Sequence, residues 1–142
     1  MSLPLEPLTK RLYDLLDSEL THDVRYAGTS GPAGSEYVAL QVASSIPDDT
    51  KTTRSHTITI TLRCHTEHAE GEARPLDAQA LASDVADVLQ RRTIDIPEAR
   101  WADLHLTSPS TSENSYDMGG GRRALDYILT YTIRIQDLQP NA

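Results

Sequence analysis

His56-Thr57-Ile58-Thr59-Ile60-Thr61-Leu62-Arg63-Cys64-His65-Thr66 is an unbroken alternation of two residue classes. Side chains on a strand point to opposite faces with a period of two, so Ile58, Ile60, Leu62 and Cys64 share one face. Thr57, Thr59, Thr61, Arg63 and His65 share the other. One apolar and one polar face is the pattern of an antiparallel strand packed on one side only. The polar, β-branched face suits water or a neighbouring subunit. Cys64, the chain's single cysteine, falls on the apolar face as a small core residue.

Outward from this strand, further elements follow from periodicity. Pro75 opens a helix whose stripe is Ala78, Leu81, Ala82, Val85, Ala86 and Leu89, with Asp77 in its first turn. Arg91-Arg92 follow its last turn, agreeing with the helix dipole. Upstream, Tyr37–Ser44 alternates as a strand with Val38, Leu40 and Val42 together, and the polar segment 45–55 joins it to the central strand. Leu5, Leu8, Leu12, Leu15, Leu16 and Leu20 recur at helical spacing over residues 5–21. The Gly-containing segment 22–35 reads as a loop, and 65–74 as a charged turn. Segment 94–99, broken by Pro97, reads as a connector. Trp101–Thr107 reads as a strand and 108–123 as a Ser/Gly loop. Leu125, Tyr127, Leu129, Tyr131, Ile133 and Ile135 then alternate along a long last strand, the expected spine of the sheet. The expected fold is α+β over a single domain, residues 1–142, in the order helix-strand-strand-helix-strand-strand. Its sheet has four strands, mainly antiparallel, with both helices packed on one face.

A net charge of −8, with two lysines (Lys10, Lys51) and eleven arginines against 21 acids, leaves only short basic pairs. Sequence-specific binding to nucleic acid needs a basic patch, so it is not expected. No apolar run approaches the roughly 18 residues that span a bilayer, so no membrane partner is expected. Met1–Pro7 lacks the basic region and apolar core of a secretory signal, which makes the cytoplasm the default site of synthesis.

Catalytic and metal chemistry find little support. His65-Thr66-Glu67-His68-Ala69-Glu70 is the densest group of metal-ligand types, but a zinc site needs converging ligands and second partners. At a strand end these residues are expected to splay as a solvated turn, so no metal and no other cofactor is expected. Gly119-Gly120-Gly121-Arg122-Arg123 precedes a strand, whereas a phosphate-binding loop follows one and opens a helix. It reads as a loop end whose arginines are free to meet an acidic partner or a phosphate. Cys64 and His65 point to opposite faces and cannot pair as nucleophile and base. Asp48-Asp49 lie in a hairpin without burial to raise a pKa. An enzyme is not expected.

The order of elements and their residue types resembles the tail-terminator, or tail-completion, proteins of long-tailed phages and gene-transfer particles. The resemblance rests on Leu12, Tyr13, Leu15 and Leu16, on Glu36–Val42, and on the hairpin ending Asp48-Asp49-Thr50-Lys51-Thr52. It continues through His56–Leu62, Ala80–Leu89 and Tyr127–Ile135, so it covers residues 5–137. The chain departs from the pattern in Thr29–Gly34 and in the Gly-rich segment before its last strand. The resemblance implies a hexameric ring of this chain on the head-proximal end of the tail tube, where it stops tube polymerisation and offers a surface for head joining. Its partners would be other copies of the chain, the tail-tube protein and the head-tail connector, with DNA passing through the lumen. It further implies localisation in the virion after synthesis in the host cytoplasm. Asp48, Asp49, Lys51, Arg54, Arg122 and Arg123 are the candidate ring and partner contacts. A head-tail connector or neck protein of the same fold is the nearest alternative. A small intracellular domain, metal-binding through His65 and His68 or serving as an adaptor, is the more distant one.

Overall fold

The computed structural model describes residues 5–28, 36–44, 48–49, 53–69, 75–91, 94–96, 101–104, 106 and 109–138. Helix α1 (Leu5–Glu19) buries Leu8, Leu12 and Leu16 on one stripe. Helix α2 (Pro75–Arg91) buries Ala78, Leu81, Ala82, Val85, Val88 and Leu89. Both stripes rest on the same sheet face. There Val24, Val38, Leu40, Ile58, Ile60, Leu62, Cys64, Leu129 and Tyr131 complete one apolar core with the two helices.

The main sheet is larger than expected. Five strands lie in the order β1 (Asp23–Tyr26), β2 (Glu36–Ser44), β4 (Thr53–Ala69), β8 (Arg122–Leu138) and β7 (Ser110–Gly119). The two-residue β3 (Asp48–Asp49) pairs with β4 beyond the end of β2. All pairings are antiparallel except β1 with β2. The four-strand expectation fails at three places. Asp23–Tyr26 is a strand because Val24 is buried opposite Val38, although Gly-rich sequence follows it. Ser110–Gly119 is a strand within the segment read as a Ser/Gly loop. Trp101–Leu104 (β6) pairs not with the main sheet but with β5 (Ile94–Ile96), in a separate two-stranded sheet.

β4 and β8 pair without interruption from Thr53↔Leu138 to Ala69↔Arg122. Each is 17 residues long, so this ribbon runs roughly 50 Å at about 3.3 Å per residue. His65–Ala69 therefore belongs to a strand and not to a charged turn. The register aligns Leu40, Leu62 and Leu129 across three strands on the helix side. On the opposite side it aligns Tyr37, His65 and Asp126. Among the described residues no helix covers that opposite face.

The β7–β8 hairpin closes through Gly120 and Gly121, whose φ values are 63° and 77°. Positive φ at both central residues is the demand of a type I′ turn, which matches the natural twist of paired strands. Just before the turn, the Gly119 amide donates to Asp117 Oδ1 at 2.9 Å. A register shift between Asp117 and Gly119 leaves Met118 on the surface. A Cβ added at Gly120 would meet nothing within 4 Å, so the cost of a side chain there is purely that of the backbone. Gly120→Ala is accordingly expected to destabilise by about 1–2 kcal/mol in denaturant titration. Gly120→Asn should cost less, because Asn tolerates this conformation; equal losses would argue against the turn geometry.

Candidate functional site

The concentration of interacting polar groups lies on the open face, where β2, β4, β8 and β7 run side by side. His65 on β4 is only 3% exposed and Asp126 on β8 only 4%. Registered as a cross-strand pair, they meet through His65 Nδ1 and Asp126 Oδ1 at 2.6 Å. On the other side of the ring, Nε2 meets Glu67 Oε2 at 3.0 Å. An imidazole bonded to a carboxylate at each nitrogen satisfies both contacts only as the imidazolium, which has two N–H donors. Burial by itself disfavours that charge and lowers the pKa. The hydrogen bonds and negative charges of Asp126 and Glu67 outweigh burial and hold the His65 pKa above its ordinary value.

Aromatic rings wall the cluster. Tyr37 on β2 stacks on the imidazole with centroids 4.6 Å apart, and Tyr116 on β7 leans toward it at 6.5 Å. Burial, the charge of Asp126 and a hydrogen bond with it keep the Tyr116 hydroxyl protonated, with its pKa raised. The guanidinium groups of Arg25 and Arg63 lie 5.3 and 6.0 Å from the Tyr37 ring centre, within cation–π range. Arg63 also donates to the Tyr37 hydroxyl at 3.4 Å. Arg122, at the start of β8, reaches Glu67 at 3.8 Å.

His65 thus sits where the sequence places it, on the face opposite Cys64, but buried among partners and not solvated. His65 and His68 are three residues apart on one strand, which sets them on opposite faces and prevents convergence on a metal. Both nitrogens of His65 are already engaged by carboxylates. Among the described residues no three His, Cys, Asp or Glu side chains are grouped to hold a metal ion. Cys64 is fully buried, and burial, aided by the charge of Asp126, pushes its thiol up to about 12. It remains protonated and is a packing residue.

The six candidate contact residues do not form one patch. Asp48 and Asp49 pair with Ser55 and Arg54 at the Thr53 end of β4. Arg122 and Arg123 pair with Ala69 and His68 at its other end. Lys51 lies outside the described residues. Arg122 is exposed yet tied to Glu67, and Arg123 donates to Ser115 Oγ at 3.4 Å, so both arginines brace the hairpin as well as facing outward. Apart from Glu67, the cluster around His65 is not visible in the sequence, because Tyr37, Asp126 and Tyr116 are 28, 61 and 51 positions from His65. Only the strand register brings them together. Matching the apolar positions of the two long strands, Cys64 against Tyr127, would have set His65 opposite Asp126.

The whole architecture has a counterpart. Its fold is similar to that of a chain in a gene transfer agent virion. The two superpose with a TM-score of 0.62 at 18% sequence identity, over 90% of this chain and 95% of the other, in the virion of a native gene transfer agent particle. No known family profile matches the chain, and no curated protein matches it in sequence.

Proposed function

We propose that this chain is a structural protein of a phage-like particle and acts as its tail terminator. A hexameric ring of it caps the head-proximal end of the tail tube, ends tube polymerisation and presents the surface for head-tail joining. The observation that carries the reading is the fold shared with a virion chain over 90% of this sequence. Several features of the chain agree with it. Among the described residues β1 and β7 have no strand on their outer sides, so the sheet offers two different edges. Two different patches that meet head to tail close into a ring when the rotation per copy sums to a full turn.

The candidate contacts at opposite ends of the ribbon suit the two axial faces of such a ring. The pair Asp48-Asp49, with Arg54, would meet one neighbour and the pair Arg122-Arg123 the other, the tube protein and the connector between them. The net charge of −8 suits a lumen through which DNA passes without sticking. The role is one of assembly and calls for neither catalysis nor a cofactor.

Gold-labelled antibody against the chain, imaged on particles from a lysate that produces it, tests the reading. Label confined to the head-proximal end of tails is the expected result. Label on tailless capsids would replace the terminator role by that of a connector. Unlabelled intact particles in a lysate containing the protein would overturn both.

A further inference from the structure

We propose that His65 is a proton-operated clasp that fastens the edge strand β7 across β8 to the sheet interior, so that loss of its proton loosens β7. This goes beyond the assembly role and does not depend on it. β7 has almost no apolar anchorage: Tyr116 is its one half-buried side chain, and the rest are exposed. Apart from the backbone ladder to β8, the edge strand is held by two exposed polar contacts, Gln79 of α2 with Glu113 and Arg123 with Ser115, each at 3.4 Å, and by Tyr116 where it meets His65 and Asp126. His65 in turn is stacked on Tyr37 of β2, the next strand beyond β4. The imidazole is therefore the buried side-chain link that ties the edge strand β7 to the middle strand β4.

Its proton count decides whether the clasp closes. Neutral imidazole has one N–H, and the shorter, more buried contact at Nδ1 with Asp126 retains it. Nε2 then turns a lone pair toward the Glu67 carboxylate, and that contact becomes repulsive. Glu67 also holds Arg122, the first residue of β8 after the Gly120-Gly121 turn, so the disturbance reaches the tip of the hairpin. The groups facing His65 are Glu67 on its own strand, Asp126 on β8, Tyr37 on β2 and Tyr116 on β7. Arg63 and Arg25 bear on it through the Tyr37 ring, and Arg122 through Glu67. Because the folded pKa lies above the ordinary 6.5, the clasp is closed below that value. It opens as pH rises through the folded pKa.

The test is amide hydrogen exchange of the full chain across this pH window, corrected for intrinsic rates, with His65 titrated by NMR in the same samples. Protection of the 111–117 amides is expected to fall roughly tenfold through the His65 midpoint, the scale of one charge-assisted hydrogen bond. The 58–62 amides should keep theirs. His65→Gln should remove the pH dependence of β7. Glu67→Gln, which keeps an oxygen at Nε2 without the charge, should lower the His65 midpoint and the β7 midpoint together. The proposal fails if His65 titrates while β7 protection stays constant, if β7 still loosens in a folded His65→Gln variant, or if the two midpoints separate in Glu67→Gln.

Discussion

Leu62→Ala is expected to destabilise the domain by about 2–5 kcal/mol, read as a lowered urea midpoint with an unchanged denaturant slope. Leu62 is fully buried and stands in register between Leu40 of β2 and Leu129 of β8, beneath the two helices. Truncation there loses the transfer energy of three carbons and leaves a void that rigid paired strands cannot collapse to fill. Thr61, one residue earlier, points to the open face and is half-buried. Thr61→Ala should cost less than about 1 kcal/mol. Because a slip of one residue exchanges the two faces, the contrast between these neighbours reports register directly. A larger loss at Thr61 than at Leu62 would place the helices on the wrong side of the sheet.

What the sequence made legible follows from the same alternation. β2, β4 and β8 carry apolar residues at every second position, and each forms a strand with the expected face inward. The two leucine- and alanine-rich stripes form helices on that face, because 3.6-residue periodicity with a proline at the first turn leaves little choice of structure. β7 was not legible in this way. Ser110-Thr111-Ser112-Glu113-Asn114-Ser115 has low strand preference and no apolar face. It is a strand because β8 offers a free ladder edge and because Gly120-Gly121 permits a two-residue turn. That glycine pair was the available signal. β1 failed for a similar reason: four residues contain a single buried side chain, Val24, too short a run to show any period.

The site was half legible. Alternation places His65 on the polar face, and a polar face reads as a wet one. A one-sided sheet does not require that. Cross-strand neighbours on the open face shield one another, and Tyr37 and Tyr116 are broad enough to exclude water from an imidazole lying between them. Only the pairing of strands far apart in sequence reveals this, which is why the spacing within His65–Glu70 reads as a solvated turn and points nowhere near Asp126.

Asp126→Ala is expected to cost about 3 kcal/mol at about pH 5.5, a loss on the scale of those seen when one member of a buried ion pair is removed. The substitution leaves His65 desolvated with Glu67 as its remaining counter-ion, and it removes the 2.6 Å contact at Nδ1. The pH dependence of the loss identifies its origin. A group whose folded pKa is raised contributes stability that is fully present below its unfolded pKa, about 6.5 for histidine. That contribution disappears as pH rises through the folded pKa. The penalty of Asp126→Ala should therefore shrink toward alkaline pH, leaving the smaller cost of the hydrogen bond from the neutral imidazole to the carboxylate. Asp126→Asn, which keeps an acceptor oxygen, should show a weaker version of both effects. Urea denaturation at about pH 5.5 and pH 9, with the His65 midpoint followed by NMR, separates the possibilities. An equal penalty at both pH values with an unmoved His65 midpoint would mean that Asp126 contributes packing and not charge. Replacing both partners together, as His65→Phe with Asp126→Leu, should restore most of the lost stability, since the cost lies in leaving a buried charge without its partner and not in the absence of the pair.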